Sequence, residues 1–409
     1  MKKNVAILGL GIVGSGVAQI LLTKTQHFQT KLGFTPNLVK ILEKFPEKFH
    51  QHNLDIALKA DTIDEILNDK SIEVVAEVMG GTGFAYECIK KCLIAGKSVA
   101  TSNKEVIAKH GIELEQLAQQ NNVHLRIEGT VGGGIPIIET LENDLIANTI
   151  VAFKGIVNGT TNYIITKMQE ENQSFNEALK KAQELGYAEA DPTSDIEAFD
   201  TLYKLTILSR IAFGLAITPT ELYREGITKL ASTDFKAAEK LGQTIKLLAI
   251  GKRITENKFD IRCHPVMIPI NHPIARVNDV YNALFVQGDN VGDVLMFGRG
   301  AGSLPTASAV TADIIRGLRE KTIPQLNRSL SSNYDLQSTE SIVGTFYLRI
   351  DSEDTERVNE TLTAARIPIK TLFLQDNFII VETDKTDEKS VQLVLQQLPQ
   401  SSLFIRQEN

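Results

Sequence analysis

One run near the N-terminus, Gly9-Leu10-Gly11-Ile12-Val13-Gly14, constrains the fold of this chain more than any other. It follows directly on the apolar Val5-Ala6-Ile7-Leu8 and opens a helix-like stretch from Gly16 to Leu22. Between a strand and a helix, glycines at this spacing permit a tight turn, bring backbone close to a pyrophosphate and let the helix pack closely. The helix N-terminus then faces negative phosphate. A tight glycine turn without a ligand is the competing reading. The strand before the run and the helix after it favour a dinucleotide site, with Gly9, Gly11, Ile12, Val13 and Gly14 as its contacts.

The following 120 or so residues keep the rhythm this motif demands. Leu38 to Leu42, Val74 to Val78, Ser98 to Thr101 and Val123 to Ile127 read as strands, separated by helical patterns such as Tyr86 to Ala95 and Glu105 to Gln120. Alternation of this kind predicts an α/β, Rossmann-type parallel sheet. After the second strand come Glu43 and Lys44, an acid suited to ribose hydroxyls and a base suited to a 2′-phosphate, so both NAD and NADP stay open. Lys44 is the candidate contact for the phosphate.

A chain of 409 residues has room for two or three domains. From residue 136 longer amphipathic helices, Phe175 to Leu185 and Asp195 to Ile211, mix with strand-like Thr149 to Val157 and Asn282 to Gln287, predicting an α+β domain. The last part reads strand, helix, two strands, helix, strand, the βαββαβ ferredoxin-like order. The predicted division is 1–135, with 300–325 packing back on it, then 136–299, a polar linker over 326–340, and 341–409.

Composition narrows the function classes. With 43 basic and 50 acidic side chains the net charge is −7, the wrong sign for a general nucleic-acid binder. Three cysteines, Cys88, Cys92 and Cys263, are too few for a disulfide framework and read as packing residues of a reducing compartment. Neither a signal peptide nor a membrane span is legible, because glycines interrupt the first apolar run. A cytoplasmic protein is the expectation.

Two stretches carry reactive side chains. Thr101-Ser102-Asn103-Lys104 ends a parallel strand, where ligands of open sheets collect, so Thr101 and Lys104 would lie beside the cofactor's reactive ring. In Gly186 to Lys204, Asp191-Pro192 reads as a helix start, and Asp200 and Lys204 fall four apart on one face of a largely apolar helix. A buried acid–base pair is thereby expected, with Glu189, Asp191 and Asp195 upstream as an acidic cluster fit for a ligand ammonium. Helix capping accounts for Asp191 alone. Two more glycine-rich runs, Gly129 to Pro136 and Gly298 to Thr306, suggest a cleft lined by backbone.

These stretches resemble homoserine dehydrogenase over nearly the whole chain. The runs Asn158-Gly159-Thr160-Thr161-Asn162-Tyr163 and Gly186-Tyr187-Ala188-Glu189-Ala190-Asp191-Pro192 are the most specific to that family. The resemblance implies NAD(P)-dependent interconversion of L-homoserine and L-aspartate 4-semialdehyde, on the route to threonine and methionine. It makes Lys104, Lys204 and Asp200 the catalytic residues and Glu189, Asp195, Asn158, Gly159 and Thr160 the substrate contacts, with Gly300 beside the cofactor. It further implies a structural Na+ or K+ on main-chain oxygens of Glu128, Val131, Gly133 and Ile135, a central catalytic and dimerisation domain, and a homodimer or higher homo-oligomer. The C-terminal part resembles an ACT module. No kinase-like segment precedes the first motif, so a monofunctional enzyme is expected.

Three positions depart from the family pattern. Lys44-Phe45 replaces the usual Arg-Asp, Ala198 stands where glycine is usual, and Asp351 to Thr355 replaces the Pro-Gly turn of an effector pocket. The methyl of Ala198 is expected to tighten helix packing. Two other readings compete. A non-catalytic NAD(P)-sensing regulator with an ACT-like output domain would have no use for Lys104, Lys204, Asp200 and Glu189 together. An aspartate semialdehyde dehydrogenase would need a nucleophilic cysteine, and all three cysteines lie outside the motifs.

Overall fold

The computed structural model describes residues 1–320 and 330–408. Residues 321–329, which include the start of the expected linker and the end of the 300–325 stretch, and Asn409 lie outside the described residues. The chain divides into two compact units. One is Met1–Asn148, Thr206–Thr220 and Met296–Ser332; the other is Thr149–Leu205, Glu221–Leu295 and Asn333–Asn409.

The first unit is built on six strands: β1 (Lys2–Leu8), β2 (Thr35–Leu42), β3 (Lys59–Ala60), β4 (Ile72–Glu77), β5 (Ser98–Thr101) and β6 (Leu125–Arg126). Every pairing is parallel. Their order is β3-β2-β1-β4-β5-β6, so the strand order reverses at β1, where an open parallel sheet leaves a crevice for a ligand. Val5, Ile7, Val74 and Ala76 form the buried face with Val310 and Ile314 from the helix Ser303–Arg319. Each fully buried aliphatic side chain there contributes about 1.5–3 kcal/mol. Gly16, in the helix Ile12–Thr23, lets the two helices touch: a Cβ would lie 2.9 Å from the Ala307 methyl.

The second unit carries a mixed sheet. The sheet's strands are β7 (Ile150–Ile156), β8 (Tyr223–Arg224), β9 (Gln243–Arg253), β10 (Lys258–Pro269), β11 (Tyr281–Gly288), β12 (Gly292–Arg299, whose residues from Met296 on count with the first unit), β13 (Asp335–Leu336), β14 (Val343–Ile350), β15 (Ile369–Gln375), β16 (Phe378–Thr383), β17 (Thr386–Asp387) and β18 (Leu403–Gln407). The main path is β12-β11-β7-β9-β10-β18-β14-β16-β15. β9 and β10 form a long antiparallel hairpin that is buried along most of its length, with Lys246, Asp260, Arg262 and His264 among the buried side chains. The other edge of β10 meets β13, β8 and β18 in turn, all parallel.

The C-terminal strands therefore extend the central sheet through β18. Their own core joins Phe346, Leu348 and Val381 to Leu362 and Val394 of the helices Thr355–Ala364 and Glu388–Leu395. Buried polar contacts bind this part to the rest of the unit. Tyr347 donates to Asp234 at 2.8 Å, Arg349 pairs with the same carboxylate, and Arg406 reaches Glu388 at 2.7 Å and Glu225 at 3.2 Å. Among the described residues no helix is long and apolar enough to cross a membrane.

Candidate active site

The dinucleotide loop takes its shape from steric limits. Gly9 has φ +98, a left-handed conformation that disfavours a side chain, and a Cβ on Gly14 would collide with the Gly9 carbonyl. Gly11 faces open space and Ile12 is 74% exposed, so the surface at the helix N-terminus is bare backbone and one aliphatic side chain. The helix start is fixed from outside by Ser303, whose hydroxyl donates to the Ile12 carbonyl at 2.7 Å. Nothing local in the sequence signals that contact.

The acid after β2 is turned inward. Buried Glu43 accepts from the Leu10 amide at 2.9 Å, the Phe45 amide at 3.2 Å and the Lys48 ammonium at 2.9 Å. Burial alone would raise this carboxyl, but Lys48 and the two amides outweigh it and hold it below its ordinary value. Lys44 beside it is exposed, its ammonium 5.7 Å from the Phe45 ring centre.

β5 ends at Thr101, and Asn103 caps the helix Lys104–Gln120 by accepting from the Val106 amide at 3.2 Å. Lys104 is thus the first helical residue after a parallel strand, and it is half-buried. The two later glycine runs meet each other: Gly134 donates to the Arg299 carbonyl at 3.2 Å, and Gly133 lies against the Gly300 backbone with no room for a Cβ. Gly132 and Gly133 have φ 73 and 58. The Glu128 carboxylate accepts from the Ile138 and Glu139 amides, both at 2.9 Å.

The second unit assembles the buried acid–base group. Asn158 follows β7 and caps the helix Gly159–Glu170, accepting from the Thr161 amide at 2.8 Å. Its amide nitrogen donates to Asp195 at 2.7 Å and to Asp200 at 2.8 Å. Lys204 donates to the same Asp200 oxygen at 2.6 Å and to the Val157 carbonyl at 2.7 Å. Asp200 is 4% exposed and Lys204 9%, so the expected buried pair is present and bridged by Asn158 to a second carboxylate.

The helix that carries this pair differs from expectation. A continuous helix from Asp195 to Ile211 is predicted, but Thr193–Ile196 and Phe199–Phe213 are separate, with Ala198 between them at φ 62. Residues 224–228 impose the break. The Ile227 amide donates to the Ile196 carbonyl at 2.9 Å, Arg224 donates to the Glu197 carbonyl and stacks 3.5 Å from the Phe199 ring centre, and Thr228 reaches Glu197 at 3.2 Å. The family's glycine at position 198 thus answers a left-handed backbone, not the packing of a methyl. Asp191 is also displaced: the helix begins at Thr193, and the Asp191 carboxylate accepts from that residue's amide at 3.1 Å and hydroxyl at 2.6 Å. It shapes the turn, while Glu189 stays exposed.

Around the Asn158 helix, Thr160 donates to the Tyr187 carbonyl at 2.7 Å, and a Cβ on Gly159 would stand 2.8 Å from the Val280 carbonyl. Asn162 donates to the carbonyls of Val277, Asp279 and Tyr281 at 3.1, 2.9 and 3.2 Å. Fully buried Lys246 holds the same loop through Val277 and Asn278, both at 2.8 Å, and burial pushes it down to about 8. Sequence reading misses Lys246, which looks like one polar residue in an apolar strand. The cysteine thiols are all buried, and burial pushes Cys88 up to about 11 and Cys92 up to about 12. Thiols so placed are inert packing groups.

Comparison with known proteins agrees with this geometry. Residues 9–128 match the family model described as "Homoserine dehydrogenase, NAD binding domain" and residues 136–315 the one described as "Homoserine dehydrogenase". The homoserine dehydrogenase of Neisseria gonorrhoeae is 40% identical over 359 residues, 86% of this chain and 82% of that protein. That of Bacillus subtilis is 34% identical over 413 residues, 97% of this chain and 94% of that protein. The crystal structure of a homoserine dehydrogenase from Thiobacillus denitrificans superposes with a TM-score of 0.92 at 35% identity, covering 100% of this chain and 99% of that one. A hyperthermophilic archaeal homoserine dehydrogenase mutant in complex with NADPH, 29% identical, covers 80% of this chain and all of its own with a TM-score of 0.67. With this extent of similarity, and with the glycine loop and the Asn158–Asp200–Lys204 group intact, the chain belongs to the homoserine dehydrogenase family.

Proposed function

We propose that Lys104 and Lys204 handle the proton in the NAD(P)-dependent interconversion of L-homoserine and L-aspartate 4-semialdehyde that this chain catalyses. Asp200 anchors Lys204, and Asp195 and Glu189 receive the substrate ammonium. The observation that carries this reading is the buried Asp200–Lys204 pair bridged by Asn158. When bound, the nicotinamide supplies or accepts the hydride at the substrate carbon. In the reducing direction the carbonyl oxygen must gain a proton as the alkoxide develops, and a positioned ammonium stabilises that charge. Two of the three N–H bonds of Lys204 go to Asp200 and Val157, which leaves the third for the substrate oxygen. Purified protein should oxidise homoserine, and Lys204→Ala and Lys104→Ala should each lower kcat by about a hundredfold or more while retaining cofactor binding. Near-native kcat in either variant removes that residue from the mechanism.

The loop from Gly9 to Gly14 fits a dinucleotide pyrophosphate, since Gly11 offers open backbone at a helix N-terminus. Thr101 and Gly300 belong to the same site. With Glu43 committed to Leu10, Phe45 and Lys48, the exposed Lys44 is the group left to meet a ribose 2′-substituent, so NADP is the preferred cofactor. Parallel assays with NADP and NAD test this; a lower KM for NAD refutes it.

A monovalent cation on main-chain oxygens of Glu128, Val131, Gly133 and Ile135 belongs to the same proposal. The left-handed turns at Gly132 and Gly133 support it, as does the Glu128 carboxylate, which is occupied by two amides. Such an ion would hold the glycine run in place, and a thermal midpoint that does not respond to Na+ or K+ would count against it.

We assign the domains as 1–135 with 300–325, 136–299, and an ACT-like module over 341–409, in a cytoplasmic, homo-oligomeric enzyme. The strand order β18-β14-β16-β15 supports the module, and Leu295 and Phe297, 40% and 55% exposed on edge strand β12, support a subunit contact. The turn Asp351 to Thr355 is occupied by its own contacts: Asp354 caps the next helix at 3.0 Å and Asp351 binds Ser401. The module's role is therefore structural, and millimolar threonine should leave activity unchanged.

A further inference from the structure

Glu77 closes β4 and is completely buried, yet no part of the mechanism above uses it. One carboxylate oxygen accepts from the Met79 amide at 2.8 Å and the other from the Thr101 hydroxyl at 2.6 Å. The Thr101 oxygen itself accepts from the Asn103 amide at 2.9 Å, which points the hydroxyl proton at Glu77. Asn103 then donates its side-chain amide to the Gly81 carbonyl at 2.9 Å and caps the helix that Lys104 begins. One carboxylate thus ties together the ends of β4 and β5, the Gly80-Gly81 turn and the residue before Lys104.

A carboxylate is a costly occupant of such a place, because burial without a cation disfavours its charge. An apolar side chain would fill the volume more cheaply, but it would leave the Met79 amide and the Thr101 hydroxyl without an acceptor. We propose that Glu77 is a positioning residue for Lys104, acting through Thr101 and Asn103, and that its ionised form holds the turn. The proposal rests on the assignment of Lys104 as a proton-handling residue. Protonation would put a donor where the network needs an acceptor and let the Thr101–Asn103 turn relax. Burial pushes Glu77 up to about 7, against the pull of the Thr101, Met79 and Asn103 donors, so the switch falls within the assay range. Among the described residues, the Cys88 and Cys92 thiols of the helix Gly83–Ile94 feel its charge, and both are neutral there because burial raises them to about 11 and about 12.

The test is kcat for homoserine oxidation against pH, from 5.5 to 9, for the wild type, Glu77→Gln, Thr101→Val and Thr101→Ser. NADPH binding is titrated alongside by nicotinamide fluorescence. Wild-type kcat should fall about tenfold per pH unit below an inflection near 7. Glu77→Gln should lose that inflection and run about 10- to 100-fold below the wild-type plateau, the scale of a displaced catalytic group, with NADPH affinity retained. Thr101→Val removes a donor to the ionised form and should move the inflection upward; Thr101→Ser should restore it. In the apo protein, the infrared carboxyl band lost in Glu77→Gln should titrate near 7. An inflection unchanged in both Glu77→Gln and Thr101→Val overturns the proposal, and if Glu77→Gln does not fold, the Thr101→Val shift decides alone. Near-native kcat in Lys104→Ala would instead overturn the underlying assignment, whatever Glu77 does.

Discussion

Replacing Lys204 with methionine separates what the Asp200–Lys204 pair does for stability from what it does for chemistry. Asp200 is 4% exposed and would lose the Lys204 ammonium while keeping the Asn158 amide. Breaking a buried pair from one side leaves an uncompensated charge and costs about 3–5 kcal/mol. The loss depends on pH, and its sign follows from proton binding. Without the ammonium, a buried carboxylate holds a proton more readily than it does beside one, and the proton relieves the charge. Stability of the variant is therefore best preserved at low pH and falls as pH rises. Urea unfolding followed by circular dichroism at pH 5.5 and pH 8 should show the larger loss at pH 8. The double variant Lys204→Met/Asp200→Leu removes both charges and should recover most of the stability at pH 8, because an apolar pair of similar volume is often neutral or better. It should recover none of the activity. A loss below about 1 kcal/mol in Lys204→Met, or a double variant no more stable than the single one, would refute the buried-pair reasoning.

Other perturbations follow from the same geometry. Gly14→Ala should lower both the thermal midpoint and NADPH affinity, since its Cβ meets the Gly9 carbonyl; Gly11→Ala, facing open space, should weaken NADPH binding by tenfold or more (about 1.4 kcal/mol) and leave the midpoint unchanged. Arg349→Met leaves buried Asp234 with Tyr347 and the Ala231 amide but no cation, and should cost about 3–5 kcal/mol in urea unfolding, partly restored by Asp234→Asn. Burial pushes both Glu77 and Asp313 up to about 7, so the wild-type thermal midpoint should fall between pH 5 and pH 8; Asp313→Asn should flatten that slope.

The parts of this molecule legible in its sequence are those fixed by neighbours along the chain. The glycine loop, the strands alternating with helices and the Asp200–Lys204 spacing all depend on local period and turn chemistry. β3, two residues long, shows no period, and the β9–β10 hairpin is buried on both faces, so burial there does not follow the apolar–polar alternation of Phe259 to His264. The break at Ala198 is invisible for another reason. Alanine is a strong helix former, and the interruption comes from Arg224, Ile227 and Thr228, more than 20 residues downstream. Glu43 illustrates the same limit: its position suggests a ribose contact, and only the fold reveals that the Leu10 amide and Lys48 have already claimed it.

Where tertiary contacts override local rules, they do so next to residues proposed for the chemistry. Ala198 is held left-handed beside Asp200, and Glu77 is held in a dry place two strands' ends from Lys104. Both choices cost stability. A carboxyl raised from 4.5 to about 7 contributes stability that is full below pH 4.5 and lost as pH rises through about 7, on the order of 3 kcal/mol for Glu77. If ionised Glu77 holds the Lys104 turn, the condition that favours turnover is the one that withdraws this stability. Folding and catalysis then prefer opposite sides of neutral pH, because one buried carboxylate serves both. A residue selected for stability alone would not leave that conflict in place.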